Sequence, residues 1–161
     1  MFIQYEAMPS DARVWVYQST RKFTNEEENK LADEITAFLN SWKRHGKDLK
    51  ASFKIFHNQL IVILVDEKYN PVSGCAIDAS VNFMKQLEKE YNIDLTNNLN
   101  ISFFQDTKLN VVPLKTFKEY IADKKVNANT TVFNNLVTTK AQLETDWEVA
   151  IANSWHNRFL V

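Results

Sequence analysis

The chain of 161 residues carries 19 Lys and Arg against 20 Asp and Glu, a net charge of −1 with no global basic field for nucleic acid or an anionic membrane. Its 45% apolar and 24% charged residues are those of a soluble globular protein, and its single cysteine rules out an internal disulfide and fits a reducing, cytoplasmic setting. The longest apolar run, Leu60 to Val65, falls far short of the ~20 residues of a membrane helix, and Met1 to Glu6 shows no signal-peptide pattern.

After a turn at Pro9-Ser10-Asp11, the β-branched and aromatic residues of Arg13-Val14-Trp15-Val16-Tyr17-Gln18 predict a strand, apolar on both faces and therefore central in its sheet. A helix follows. Thr24 and Glu27 have capping-box spacing, Glu26 to Glu28 suit the positive end of the helix dipole, and Leu31, Ile35, Phe38, Leu39 and Trp42 recur at helical spacing. Lys43, Arg44 and His45 then read as its last turn, with Gly46 as the residue that ends it. Residues 51–57 alternate as a strand, and His57-Asn58 reads as a tight turn into the wholly apolar strand 60–65.

The loop through Pro71 leads to Ser73-Gly74-Cys75-Ala76-Ile77-Asp78, where Gly74 reads as a turn residue and the next helix begins. That helix runs from Ala76 to about Tyr91, with Ala76, Ile77, Ser80, Val81, Met84, Leu87 and Tyr91 inward. Residues 99–104 alternate as a strand of edge character. The order β-α-β-β-α-β is that of a ferredoxin-like α+β domain with an antiparallel sheet. Its first and third strands are expected in the middle of the sheet. Residues 105–161 are expected to form an α/β extension over the face that the two helices leave bare, so that 1–161 is one domain with its core at 13–104. Within the extension Pro113 opens a helix, Thr131 to Val137 is a short strand, Thr139 and Gln142 match a second capping box, and the aromatic C-terminus docks.

Four segments carry a recognisable pattern: Arg13 to Ser19 with Arg21-Lys22-Phe23, Gly74 to Val81, Val132 to Val137, and Ser154 to Phe159. Together they resemble a group of short bacterial proteins often labelled "ABC transporter ATPase", a resemblance that implies no activity and transfers no catalytic residue. The label itself fails on chemistry. An ATPase of that type needs G-x-x-x-x-G-K-[ST] to cradle phosphate, and neither Gly46 nor Gly74 begins or ends such a motif.

Cys75 is the sharpest chemical candidate, because a thiol at a helix N-terminus has its thiolate favoured. Asp78, one turn on, opposes that effect, and only the fold can bring His45, His57 or His156 near. The commoner role for a lone cysteine is as a small buried packing residue. His156, between Trp155 and Arg158, forms an aromatic, imidazole and guanidinium cluster suited to a carboxylate or phosphate. The commoner role for such a tail is docking. Arg13 and Arg21 flank the first strand as a further anion site or as surface ion pairs. The scattered histidines show no metal-ligand spacing, no cofactor motif is present, and the glycine-aromatic pattern of RNA-binding sheets is missing.

These readings favour a non-enzymatic module that acts by protein association, homodimerisation included, or by binding a small ligand. The alternatives are a thiol-dependent enzyme with Cys75, Asp78 and His156, and an anion- or nucleotide-binding module with Arg13, Arg21, Trp155 and Arg158.

Overall fold

The computed structural model describes residues 1–160. Arg13–Gln18 (β1) leads through Phe23 into helix Asn25–Ser41 (α1). The capping box forms: Thr24 Oγ1 accepts from the Glu27 N–H at 3.1 Å, and the Glu27 carboxylate accepts from the Thr24 N–H at 3.0 Å. The helix stops at Ser41, earlier than Lys43 to His45 predict. Those cations instead open a small hairpin, Lys43–Arg44 (β2) with Lys47–Asp48 (β3), turned by His45 and Gly46 at φ +50 and +77. A basic run before glycine satisfies a helix end and a hairpin turn equally, and the left-handed backbone at both residues selects the turn.

Ala51–Phe56 (β4) and Leu60–Val65 (β5) form the expected hairpin, with His57 and Asn58 both at φ +55. The first sheet has the order β1-β5-β4, antiparallel throughout. All six residues of β5 are buried. Helix Gly74–Tyr91 (α2) starts two residues before its apolar stripe, because Ser73 Oγ caps it by accepting from the Ala76 N–H at 3.2 Å. Gly74 is thus the first helical residue and not a turn residue, and a side chain there would meet nothing.

Helices α1 and α2 cover one face of this sheet, where Leu31, Ile35, Leu39, Met84 and Leu87 pack on Tyr17, Ile61, Ile63 and Val65. At ~1.5–3 kcal/mol for each large side chain withdrawn from water, this layer is a principal source of stability.

The opposite face, made of Val14, Leu60, Val62 and Leu64, packs on Leu109, Phe133, Val137, Leu143 and Trp147. These belong to a second antiparallel sheet and its connections. Asn100–Gln105 (β6), Lys108–Pro113 (β7), Thr131–Phe133 (β8) and Glu148–Ala150 (β9) take the order β7-β6-β8-β9. Helix Leu114–Ala122 (α3) and the turn Trp155–Phe159 cover the outer face of that sheet, with Phe103, Phe117, Val132 and Ile151 between them. Helix Lys140–Asp146 (α4) sends Leu143 into the layer between the sheets. The chain is a mixed α+β structure of helices, sheet, sheet and helix in successive layers.

A ferredoxin-like arrangement is not confirmed. Three strands keep the relative order expected for it, but 100–105 is hydrogen-bonded between β7 and β8 in the second sheet. Two expectations are corrected in consequence. Residues 99–104 lack edge character, and β1 is covered on both faces yet lies at the edge of its sheet. Pro113 closes β7 and precedes α3, and 105–107 is a tight turn with Asp106 and Thr107 at φ +51 and +67.

Candidate binding cleft

β1 and β6 do not form a ladder, yet they approach each other. Gln18 reaches across from the end of β1: its Nε2–H donates to the Asn100 carbonyl at 3.0 Å, and its Oε1 accepts from the Ser102 hydroxyl. Gln18 and Ser102 are both buried, so this bridge ties the sheets at one end. At the other end the chain before α4 runs along β1. The Val14 N–H donates to Thr138 O at 3.0 Å and the Lys140 N–H donates to Ala12 O at 2.9 Å. Between these two ties the sheets leave a cleft of about 510 Å³, with β1 as its floor and Leu95 to Asn98 and Asn135 to Thr138 as its walls.

Asn98, Asn135 and Leu136 also line a second cleft of about 430 Å³, so the two are adjacent. The second is closed by Trp155, His156 and Arg158 and bordered by Asn100, Ile101 and Phe133. Ser154 Oγ accepts from the His156 backbone N–H at 3.2 Å, which caps this last turn and fixes the three side chains.

His156 is 1% exposed, between Trp155, stacked at 4.0 Å, and the edge of Phe117 at 5.9 Å. Burial, and secondarily the Arg158 charge, pushes its pKa from 6.5 down to about 4, so the ring is neutral at pH 7. Its Nδ1 lies 2.8 Å from Ser154 Oγ, which also lies 3.2 Å from the Ile151 carbonyl. The hydroxyl has one proton. When it serves Nδ1, the imidazole proton sits on Nε2 as a donor.

Trp155 Nε1 is buried and has no acceptor among the described residues. Two of the other three indoles are paired: Trp42 Nε1–H donates to Ala76 O at 2.9 Å, and Trp147 Nε1–H to Asn135 Oδ1 at 2.8 Å, while the half-buried Trp15 has no acceptor among the described residues. The exposed Arg158 guanidinium lies 5.1 Å from the Trp155 ring centre and 5.2 Å from that of Phe159. Among the described residues no Asp or Glu lines either cleft, and the charged lining residues are Arg13 and Arg158.

The remaining sequence candidates are spread out. Arg13 stands at the Thr138 end, with Glu67 at 3.5 Å and the Trp15 ring at 4.7 Å. Arg21 is committed elsewhere: it makes a bidentate pair with Glu27 at 2.8 Å and donates to Tyr91 O at 2.8 Å. With Thr24 adding its N–H, this pairing holds the Glu27 carboxyl down at about 2. Arg21 is therefore a structural clamp between α1 and α2, and it lines neither cleft.

Cys75 is exposed, which corrects the expectation of a buried packing residue. It lines neither cleft, and neither it nor the exposed Asp78 has a hydrogen-bond partner among the described residues. His156 is committed to Ser154 and does not join them. Among the described residues no group of His, Cys, Asp and Glu is placed to hold a metal ion, and no helix is long and apolar enough to cross a membrane.

The asparagines are the lining residues that sequence reasoning missed. Asn98 and Asn135 read as turn residues in a glycine-poor chain, and only the meeting of two distant loops makes them a wall.

Fold and site together define an α+β protein of two principal sheets with two adjacent clefts, lined by Arg13 and Arg158 respectively. No family model, no curated protein and no solved structure matches the chain.

Proposed function

We propose that the protein is a non-enzymatic binding module whose ligand carries a carboxylate or a similar anionic group, held where Trp155, His156 and Arg158 converge. One observation carries this reading: Trp155, whose buried indole N–H has no acceptor among the described residues, lines a cleft together with the Arg158 guanidinium and with no Asp or Glu among the described residues. A buried donor left unpaired costs about 1–3 kcal/mol, and an anion that accepts from it relieves that cost while pairing with Arg158. His156, kept neutral, brings no buried charge to the site.

The reading extends to identity. We take the first sheet with α1 and α2 as a ferredoxin-like core whose fourth strand has moved to a second sheet, in support of which stands the retained order β1-β5-β4. Kinship with the short bacterial family named above rests on the quoted segments, and a cytoplasmic setting on the single free thiol.

A thermal-shift series with acetate, succinate, phosphate and ATP tests the reading. The expected result is stabilisation of the native chain by a carboxylate and loss of that response in Arg158→Gln. Equal responses in the two proteins, or none in either, would refute it. For the thiol alternative, an exposed Cys75 without a histidine partner offers no base, so iodoacetamide labelling should follow the slow course of an ordinary surface thiol.

A further inference from the structure

The floor of the cleft carries information of its own. The pairing of Arg13 with Thr139 is flanked by bonds from Val14 N–H and to Ala12 O. The N–H and C=O of Ala12, Val14, Val16 and Gln18 therefore point away from β5, while Arg13, Trp15 and Tyr17 pair with Val65, Ile63 and Ile61. Ser19, next in the alternation, donates its N–H to Gln59 O on the β5 side, as this phase requires. Thr138 takes the Val14 N–H. Beyond it the connection swings away to β8. The Val14 C=O, both backbone groups of Val16 and the Gln18 N–H are left without a protein partner among the described residues. An unpaired strand edge of this kind is one that sheets normally pair, cover or charge.

We propose that this edge binds an extended peptide segment of a partner protein by strand addition, with a carboxylate of that segment placed at Trp155, His156 and Arg158. The inference rests on the binding reading above and names its ligand class. The open stretch spans about four residues, on the order of 13 Å. A strand laid there exchanges two bonds with Val16 and one each with Val14 and Gln18. Its side chains meet Val81, Leu95, Leu136 and Val137, so alternate apolar residues suit it. Asn98, Asn135 and Leu136 line both clefts, so the cationic cluster lies beside this lane. A second copy of the chain is a poor occupant, because its own β1 is equally recessed between loops. Two such edges cannot approach to the ~4.8 Å of paired strands before their walls meet.

The test uses the full chain labelled with nitrogen-15 and a mixed pool of hexapeptides rich in Val, Ile, Leu and Thr with free C-terminal carboxylates. Binding should shift the Val16 and Gln18 amide signals and slow their hydrogen exchange, while Trp15 and Tyr17 change little. N-methylated versions of the pool should lose the effect. Capping the C-terminus as an amide should weaken binding about tenfold. If an internal Glu restores the amidated peptides, the carboxylate comes from a side chain; if it does not, it comes from the chain end. Val16→Pro removes an N–H that the fold does not use and should abolish binding. Should that variant fail to fold, the N-methylated peptides decide the matter.

Unmoved Val16 and Gln18 signals with the free-carboxylate pool would overturn strand addition. If acetate still moved the Trp155 indole signal, the anion-binding reading would survive alone; if it did not, both would fall. Equal binding of acidic and fully neutral peptides would overturn the carboxylate assignment.

Discussion

Acid should destabilise this protein through His156 in a way that one substitution isolates. The imidazole is 1% exposed, and burial lowers its pKa from 6.5 to about 4. The unfolded chain takes up a proton near pH 6.5, while the folded chain resists until about pH 4. Stability is therefore undiminished above pH 6.5, falls as the pH drops from there toward 4, and has lost the full increment below it. A gap of about 2.5 pH units corresponds to about 3 kcal/mol, of which about 2 kcal/mol is lost by pH 5. Carboxylates also titrate in this range, so the informative quantity is the difference between two proteins. Urea unfolding of the native chain and of His156→Gln at pH 7, 6 and 5 provides it. The native chain should lose about 2 kcal/mol more than the variant between pH 7 and 5. A difference that stays constant with pH would mean that His156 is not held neutral by burial, and the account of the Trp155, His156 and Arg158 cluster would fail with it.

Other outcomes follow from the same contacts. Gln18→Ala removes both sides of the buried bridge to Asn100 and Ser102 and should cost about 2–3 kcal/mol in urea unfolding, with little cost if the sheets are not tied there. Thr24→Ala deletes the cap of α1 and should cost about 1 kcal/mol, measured the same way. Phe103→Ala, at a fully buried ring against Phe117 and Tyr120, should cost about 3–5 kcal/mol and lower the midpoint accordingly. Cys75→Ser, at an exposed position, should leave stability within about 0.5 kcal/mol, and Ellman's reagent should titrate Cys75 fully in the folded native chain.

What could be read from the sequence depended on how local its cause was. Thr24 with Glu27, His57-Asn58 and the inner stripe of α2 are fixed by neighbours within one turn or hairpin, and each formed as its residues predict. The hairpin at 43–48 was missed because Lys43-Arg44-His45-Gly46 serves two local structures equally well. The turn at Asp106-Thr107 was missed because neither residue announces a left-handed backbone, and with it went β7. Without β7, 100–105 looked like an edge. Placing it in a second sheet depends on Phe103 facing Phe117 and Tyr120, residues whose packing no local spacing encodes. The cluster Trp155, His156 and Arg158 was legible as three neighbours at a docked terminus. Its setting was not, since Asn98, Asn100, Asn135 and Leu136 reach it from two distant loops. Cys75 drew attention by composition, and a lone thiol's exposure is set by which face of the helix the sheet takes.

The central claim is that Trp155 Nε1–H is an unpaired donor awaiting an anion. The four indole signals of the nitrogen-15 spectrum test it most directly during titration with acetate or succinate. The account predicts that the Trp155 signal moves downfield in a saturable way, that those of Trp42 and Trp147 stay fixed on their protein acceptors, and that Arg158→Gln abolishes the change. A Trp155 signal that ignores every carboxylate would contradict it.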